Sequence, residues 1–192
     1  MRTALVIGSA SGVYSEVKVA RSQVRIDAAF AVNDAIGGYP GVLFAAVSLH
    51  PEKLPRWLRE RTRHRLVGPE QVVTHSGWTS WFQRLGRPQE LGLPGAVIID
   101  QFFEGQTESG SSGLLAVKAA LVDFHFDRVV LAGVPMDAER AHVGKRNRPW
   151  AGCMRHRRGW EQAAPHLQGR VFSMSGWTRE QFGGIEEISC AG

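Results

Sequence analysis

The sequence predicts an α/β fold built on a doubly wound, mostly parallel sheet, and three observations carry the prediction. Short apolar runs rich in β-branched residues, such as Thr3 to Ile7 and Arg128 to Ala132, end in glycine or polar residues. Helical segments alternate with these runs. Small-residue loops stand at the strand ends, where such sheets bind ligands.

The first run, Thr3 to Gly8, has the continuous apolar character of a strand buried on both faces. Gly8 to Ser15 is a small-residue turn leading into a helix at Glu16 to Arg21, with Ser11 or Ser15 as N-cap. Ala28 to Asp34 reads as the second strand, closed by the breaker Gly37, Gly38, Tyr39, Pro40, Gly41. Val42 to Leu49 is the third, ending at His50 and Pro51, since a residue before proline is pushed out of the helical region. Pro55 to Arg65 alternates charge in helical style. Val72 to His75 and Ala96 to Asp100 are two further strands.

Glu108 to Val134 is the stretch around which the chain is organised. The small-residue loop at 108–113 opens an apolar helix from Leu114, which returns the strand Arg128 to Gly133. A helix start of this kind attracts phosphate through its unpaired N–H groups and its dipole. From Val134 to Gly169 the pattern turns to Gly, Pro, Arg and Trp, a basic lid-like excursion containing a helix near Arg158 to Leu167. Arg170 to Met174 returns as the last strand, followed by a short helix at Trp177 to Phe182. Residues 1–192 thus read as one domain. The whole pattern is Rossmann-like.

Composition narrows the function classes. No apolar run approaches the roughly 18 residues of a membrane span and no secretory leader opens the chain, so a cytoplasmic protein is expected. Two cysteines, Cys153 and Cys190, support neither a disulfide framework nor a cysteine-rich metal site, though they could still pair. His142, His156 and His166 share a basic region without metal-ligand spacing, so metal-independent chemistry is expected. The net charge is +5, and the excess concentrates between Arg140 and Arg170. Such a segment favours an anionic partner.

Each motif has a functional and a plain structural reading. Gly8 and Gly12 lack the spacing of the dinucleotide fingerprint and of the P-loop, so they mark either a nucleotide contact or a simple turn. In the later loop, Ser111, Ser112 and Gly113 allow close backbone approach and offer hydroxyls to a phosphate or sugar; the alternative is a flexible linker. Asn33 is assigned to base or ribose recognition and Asp34 to an Asx turn. His50 is placed to bond a phosphate or move a proton, or is structural. Arg155, Arg157 and Arg158 could clamp a phosphate, bind nucleic-acid backbone or lie on a solvated loop. Trp78, Trp81, Trp150, Trp160 and Trp177 divide between core packing and stacking on a base or sugar.

Taken in order, Ala4 to Val13, Ala31 to Asp34, Ala46 to Pro51, Ser111 to Leu121 and Val129 to Val134 resemble the bacterial sialyltransferases of glycosyltransferase family 42. They also resemble the related Rossmann-type family that includes the archaeal hydroxymethylpterin pyrophosphokinase, and small bacterial and phage-borne proteins share the layout. The resemblance implies a cytidine-type nucleotide surrounded by Gly8, Ser9, Asn33, His50, Ser112 and Gly113, with a lid histidine as general base, here His156. The chain departs from that pattern in several places. The first turn lacks the Gly-x-Gly-Pro-Ser form, His50 replaces Asn, Val134 and Pro135 replace Ile-Asp, and the lid tyrosines are absent.

The expected function is therefore a metal-independent transferase using a nucleotide or nucleotide sugar as substrate, with no certain cofactor. The alternatives are a non-catalytic phage or bacterial assembly protein of the same fold, able to form homo-oligomers, and a nucleic-acid-binding protein using the segment 140–170.

Overall fold

The computed structural model describes residues 1–77, 93, 95–141 and 149–189. All seven expected strands form one parallel sheet: β1 (Thr3–Ile7), β2 (Ala28–Val32), β3 (Ala45–Val47), β4 (Gln71–His75), β5 (Val97–Ile99), β6 (Arg128–Ala132) and β7 (Val171–Ser173). Their order across the sheet is β5-β4-β3-β2-β1-β6-β7. The architecture is α/β and consistent with a Rossmann-like fold.

The alternation of side chains along a strand divides the core in two. On one face, Ala4, Val6, Phe30, Val129 and Leu131 pack against α4 (Ser112–Lys118), which runs on as a π-helical turn at Ala119–Asp123, and against α5 (Cys153–Leu167) and α6 (Gly176–Phe182). On the other, Leu5, Ile7, Ala29, Ala31 and Val130 pack against α1 (Val13–Gln23), α2 (Ala35–Gly38) and α3 (Leu54–Arg63), with Ile188 of α7 (Glu186–Ser189). Strands covered on both faces have no solvent side, which is why their sequences read as continuous apolar runs.

Three local features differ from the sequence reading. Neither Ser11 nor Ser15 caps α1; Gly12 holds that position at φ 82°, which glycine adopts without a Cβ clash, and no side chain caps the helix. The supposed breaker after β2 contains a single helical turn, α2. It is held by Arg61 of α3, which is only 1% exposed although it stands in a charge-alternating helix. Its guanidinium donates to the carbonyls of Ile36, Tyr39, Gly41 and Val67 at 2.5–3.2 Å. Asp34 forms no Asx turn; its Oδ1 accepts the Trp57 indole N–H at 2.9 Å.

The expected basic excursion falls partly outside the described residues, among them His142, Lys145, Arg146 and Arg148. Its second half is the packed helix α5, which begins at Cys153 rather than Arg158. Trp78, Trp81 and Cys190 also lie outside the described residues. Among the described helices, none is long and apolar enough to cross a membrane.

Candidate functional site

Strand order reverses at β1. The chain steps outward from β1 to β5, then crosses back to place β6 on the other side of β1. The loops after β1 and β6 leave in opposite directions, and a crevice opens beyond their carboxyl ends.

The backbones are tightest there. A Cβ on Gly8 would lie 2.1 Å from the Gly133 carbonyl oxygen, and one on Gly133, itself at φ 69°, would lie 2.6 Å from Val13 Cγ2. No larger residue fits at Gly8. The turn is also closely bonded. Gly8, Ala10 and Ser11 donate their N–H groups to the carbonyls of Ala132, Gly133 and Ala141, and Val13 donates to Ala10. These amides hold the fold together, which leaves few of the turn's donors to meet a phosphate.

A carboxylate sits beneath the crevice. Glu16, in the first turn of α1, accepts the Gly133 N–H at 2.6 Å and the Ser175 hydroxyl at 2.7 Å, and lies 3.1 Å from Arg140 Nη2. Arg140 Nη1 donates in turn to Ser175. Three segments distant in sequence, at Glu16, Gly133 to Arg140 and Ser175, are thereby joined, and the Arg140 guanidinium is fixed at the rim.

The crevice widens into a cleft of about 750 Å³ along the carboxyl edge of the sheet. Gly8, Ser9, Asn33, His50, Ser111, Ser112, Gly113 and His156 all line it. Hydrogen bonds lace this wall. Asn33, at φ 54°, accepts the Ser48 hydroxyl on Oδ1 at 2.7 Å, and Ser48 accepts the His50 N–H at 2.9 Å. With Oδ1 so engaged, the Asn33 side chain presents N–H donors, suited to an acceptor on a ligand. Ser9 donates to the Val32 carbonyl at 3.2 Å, and Ser112 accepts the Leu49 N–H at 3.0 Å. His50 itself is exposed, with Nδ1 3.5 Å from the Glu52 carboxylate.

The loop at 108–113 is clamped by α5. A Cβ on Gly159 would lie within 2.7 Å of Glu108, Ser109 and Gly110 backbone atoms, so the helix rides directly on the loop. Gln162 accepts the N–H groups of Thr107 and Glu108 at 3.0 and 2.8 Å, and the Trp160 indole donates to Ser111 at 3.3 Å. The same helix brings His156 into the cleft, with Nδ1 3.3 Å from the Ser109 carbonyl. A carbonyl only accepts, so Nδ1 carries the hydrogen and Nε2 is the nitrogen left to receive a proton.

Arg155, Arg157 and Arg158 do not line the cleft. Arg155 and Arg158 are exposed on α5. Arg157 reaches the Met136 carbonyl through Nε and Nη2 at 2.9 and 2.8 Å and lies 3.3 Å from Asp137, which holds the loop after β6 in place. Among the described residues, the cations that line the cleft are Lys53, Arg56 and Arg140, beside the acids Asp34, Glu52 and Asp137.

Several residues of the site gave little sequence signal. Glu16, Arg140 and Ser175 come together only through the strand order. Trp57 and Gln101 also line the cleft. His75 had the clearest signal, a polar residue closing a strand as Asn33 and His50 do. Its Nε2 lies 3.3 Å from the Leu49 carbonyl, its Nδ1 is buried with no hydrogen-bond partner among the described residues, and burial pulls its pKa below the usual histidine value against the opposing influence of Leu49 and Glu52. Among the described residues no group of three or more His, Cys, Asp or Glu gathers to hold a metal. No family model, curated protein or solved structure matches the chain.

Proposed function

We propose that the protein binds a nucleotide-type ligand in this cleft and transfers a group from it, as a nucleotide-dependent transferase of glycosyl type. One observation carries the reading. Gly8 and Ser9, Asn33, His50, Ser111 to Gly113 and His156, from five separate segments, line a single cleft at the reversal point of a parallel sheet. A volume of about 750 Å³ is in the range of small-molecule sites.

Each group has a part in that reaction. The Asn33 N–H groups meet acceptor atoms of the base or ribose, and His50 lies beside them. Arg140, fixed by Glu16 and Ser175, directs its remaining N–H donors at the phosphate. It takes the role that the sequence assigned to Arg155, Arg157 and Arg158. As an acceptor hydroxyl attacks the donor carbon, His156 Nε2 takes its proton, the bond from that carbon to the phosphate oxygen breaks, and the phosphate leaves with the electron pair. Arg140 stabilises the departing charge.

The test is thermal stabilisation by a panel of nucleotides and nucleotide sugars. A ligand present at 100 times its dissociation constant adds about 2.7 kcal/mol of stability. Stabilisation that disappears in Asn33→Ala supports the reading, and a panel in which no nucleotide stabilises the protein rejects it.

A further inference from the structure

We infer that the end of the cleft at β4 and β5 is a subsite for an uncharged, hydroxyl-bearing group such as a sugar ring, with His75 Nδ1 receiving a ligand hydroxyl. The inference rests on the reading of the cleft as a ligand site and adds the chemistry of one end of it.

His75 closes β4, and its ring is oriented by the Leu49 carbonyl, 3.3 Å from Nε2. Because that carbonyl only accepts, Nε2 carries the hydrogen and Nδ1 of the neutral ring is an acceptor. Nδ1 is buried and, among the described residues, has no hydrogen-bond partner. A buried acceptor left unpaired is costly, and a donor from a ligand removes that cost. Burial also favours the neutral ring, which keeps the lone pair available.

The surroundings select a hydroxyl among donors. A Cβ built on Gly77 would lie 3.2 Å from His75 Nδ1 and 3.5 Å from the Gln101 side-chain nitrogen, so both groups flank the same notch. His75, Gly77 and Gln101 all line the cleft. A hydroxyl donates to the imidazole and accepts from the amide at once, whereas an ammonium group has no lone pair for the amide. Nδ1 is covered in the free protein, with Gly77 lying against it. The subsite therefore requires the turn at Ser76 and Gly77 to move aside for the ligand, and Gly77 has no side chain in the way.

Long-range proton–nitrogen NMR of the histidine rings at neutral pH tests the subsite, using D-ribose, D-galactose and mannitol as probes. In the free protein His75 is expected to carry hydrogen on Nε2 alone. A probe should move the Nδ1 resonance, and Gly77→Ala, which places a methyl group in the notch, should weaken that probe roughly tenfold. His75→Gln should weaken it similarly while the protein remains folded. An Nδ1 resonance that none of the three probes moves, or an Nδ1 already protonated in the free protein, overturns the inference. Stabilisation by CMP or UMP reads the nucleotide proposal separately. Nucleotide stabilisation with an unmoved Nδ1 rejects the subsite alone, and a moved Nδ1 with no nucleotide effect supports the subsite while rejecting the nucleotide.

Discussion

Glu16 Oε2 accepts the backbone N–H of Gly133 at 2.6 Å, joining the first turn of α1 to the end of β6 where the strand order reverses. Through its other oxygen the same carboxylate holds Ser175 and Arg140. Its side chain is only 12% exposed. Glu16→Gln leaves one of these donors poorly met, and a loss of roughly 1–3 kcal/mol is expected in urea unfolding. An unchanged midpoint and slope would mean that the network contributes nothing to stability.

Gly8→Ala should be much more damaging than its one added carbon suggests. The new Cβ would lie 2.1 Å from the Gly133 carbonyl oxygen, part of a neighbouring backbone that cannot rotate away. Separation of β1 from β6 is the only relief, and a cost of about 3 kcal/mol or more is expected. Gly68→Ala is the control, because nothing lies within 4 Å of its added Cβ. It should stay within roughly 0.5 kcal/mol of the parent in the same unfolding measurement.

Arg61→Met should destabilise by about 3 kcal/mol, since a buried guanidinium satisfies four carbonyls around α2 and the alkyl replacement satisfies none. Arg61→Lys should fall between, because one ammonium cannot reach four acceptors spread over the turn. Chemical denaturation of the three proteins checks the order.

His75 makes stability depend on pH in a predictable direction. Its pKa is lowered in the folded protein, so the unfolded chain binds the proton first as pH falls. The contribution of His75 is therefore fully present above the unfolded value of about 6.5 and is lost as pH drops through that value towards the folded one. Melting temperatures of the parent and His75→Gln across this range should differ in slope, with the variant flatter. Parallel slopes would show that His75 does not carry the effect.

Arg140→Gln should separate phosphate recognition from nucleoside recognition. Loss of a charge-assisted hydrogen bond of roughly 1.5–3 kcal/mol corresponds to about 10-fold to 100-fold weaker binding of a nucleoside monophosphate. The matching nucleoside should bind as before. Calorimetric titration of both ligands into both proteins decides it, and an equal loss for nucleoside and nucleotide would make Arg140 a structural residue only.

The fold was legible because burial on both faces writes itself into each strand. Ala4 to Ile7 and Val129 to Ala132 are apolar throughout for that reason. Strand order is a different matter, since nothing in Arg128 to Ala132 states that it pairs with β1 rather than with β5. The contacts that this pairing assembles among Glu16, Arg140 and Ser175 were accordingly illegible, although Arg140 begins the basic segment and Ser175 follows the last strand. Asn33, His50, Ser112 and Gly113 could be chosen because polar or small residues at strand and helix ends fall on one edge of any such sheet. The burial of Arg61 was illegible for a simpler reason. Its neighbours Arg59 and Arg63 are exposed, and a charge pattern alone does not tell which arginine turns inward. The bond of Arg157, whose fork is engaged by the Met136 carbonyl, was illegible likewise.

The most direct measurement is a titration of the nitrogen-15-labelled protein with CMP and UMP, followed through its backbone amides. The account predicts saturable shifts gathered at Ser9, Asn33, His50, Ser112 and Gly113, with the amides of β5 and the outer face of α1 unmoved. Shifts confined to the exposed arginine face of α5, or none at concentrations that saturate ordinary nucleotide sites, would contradict it.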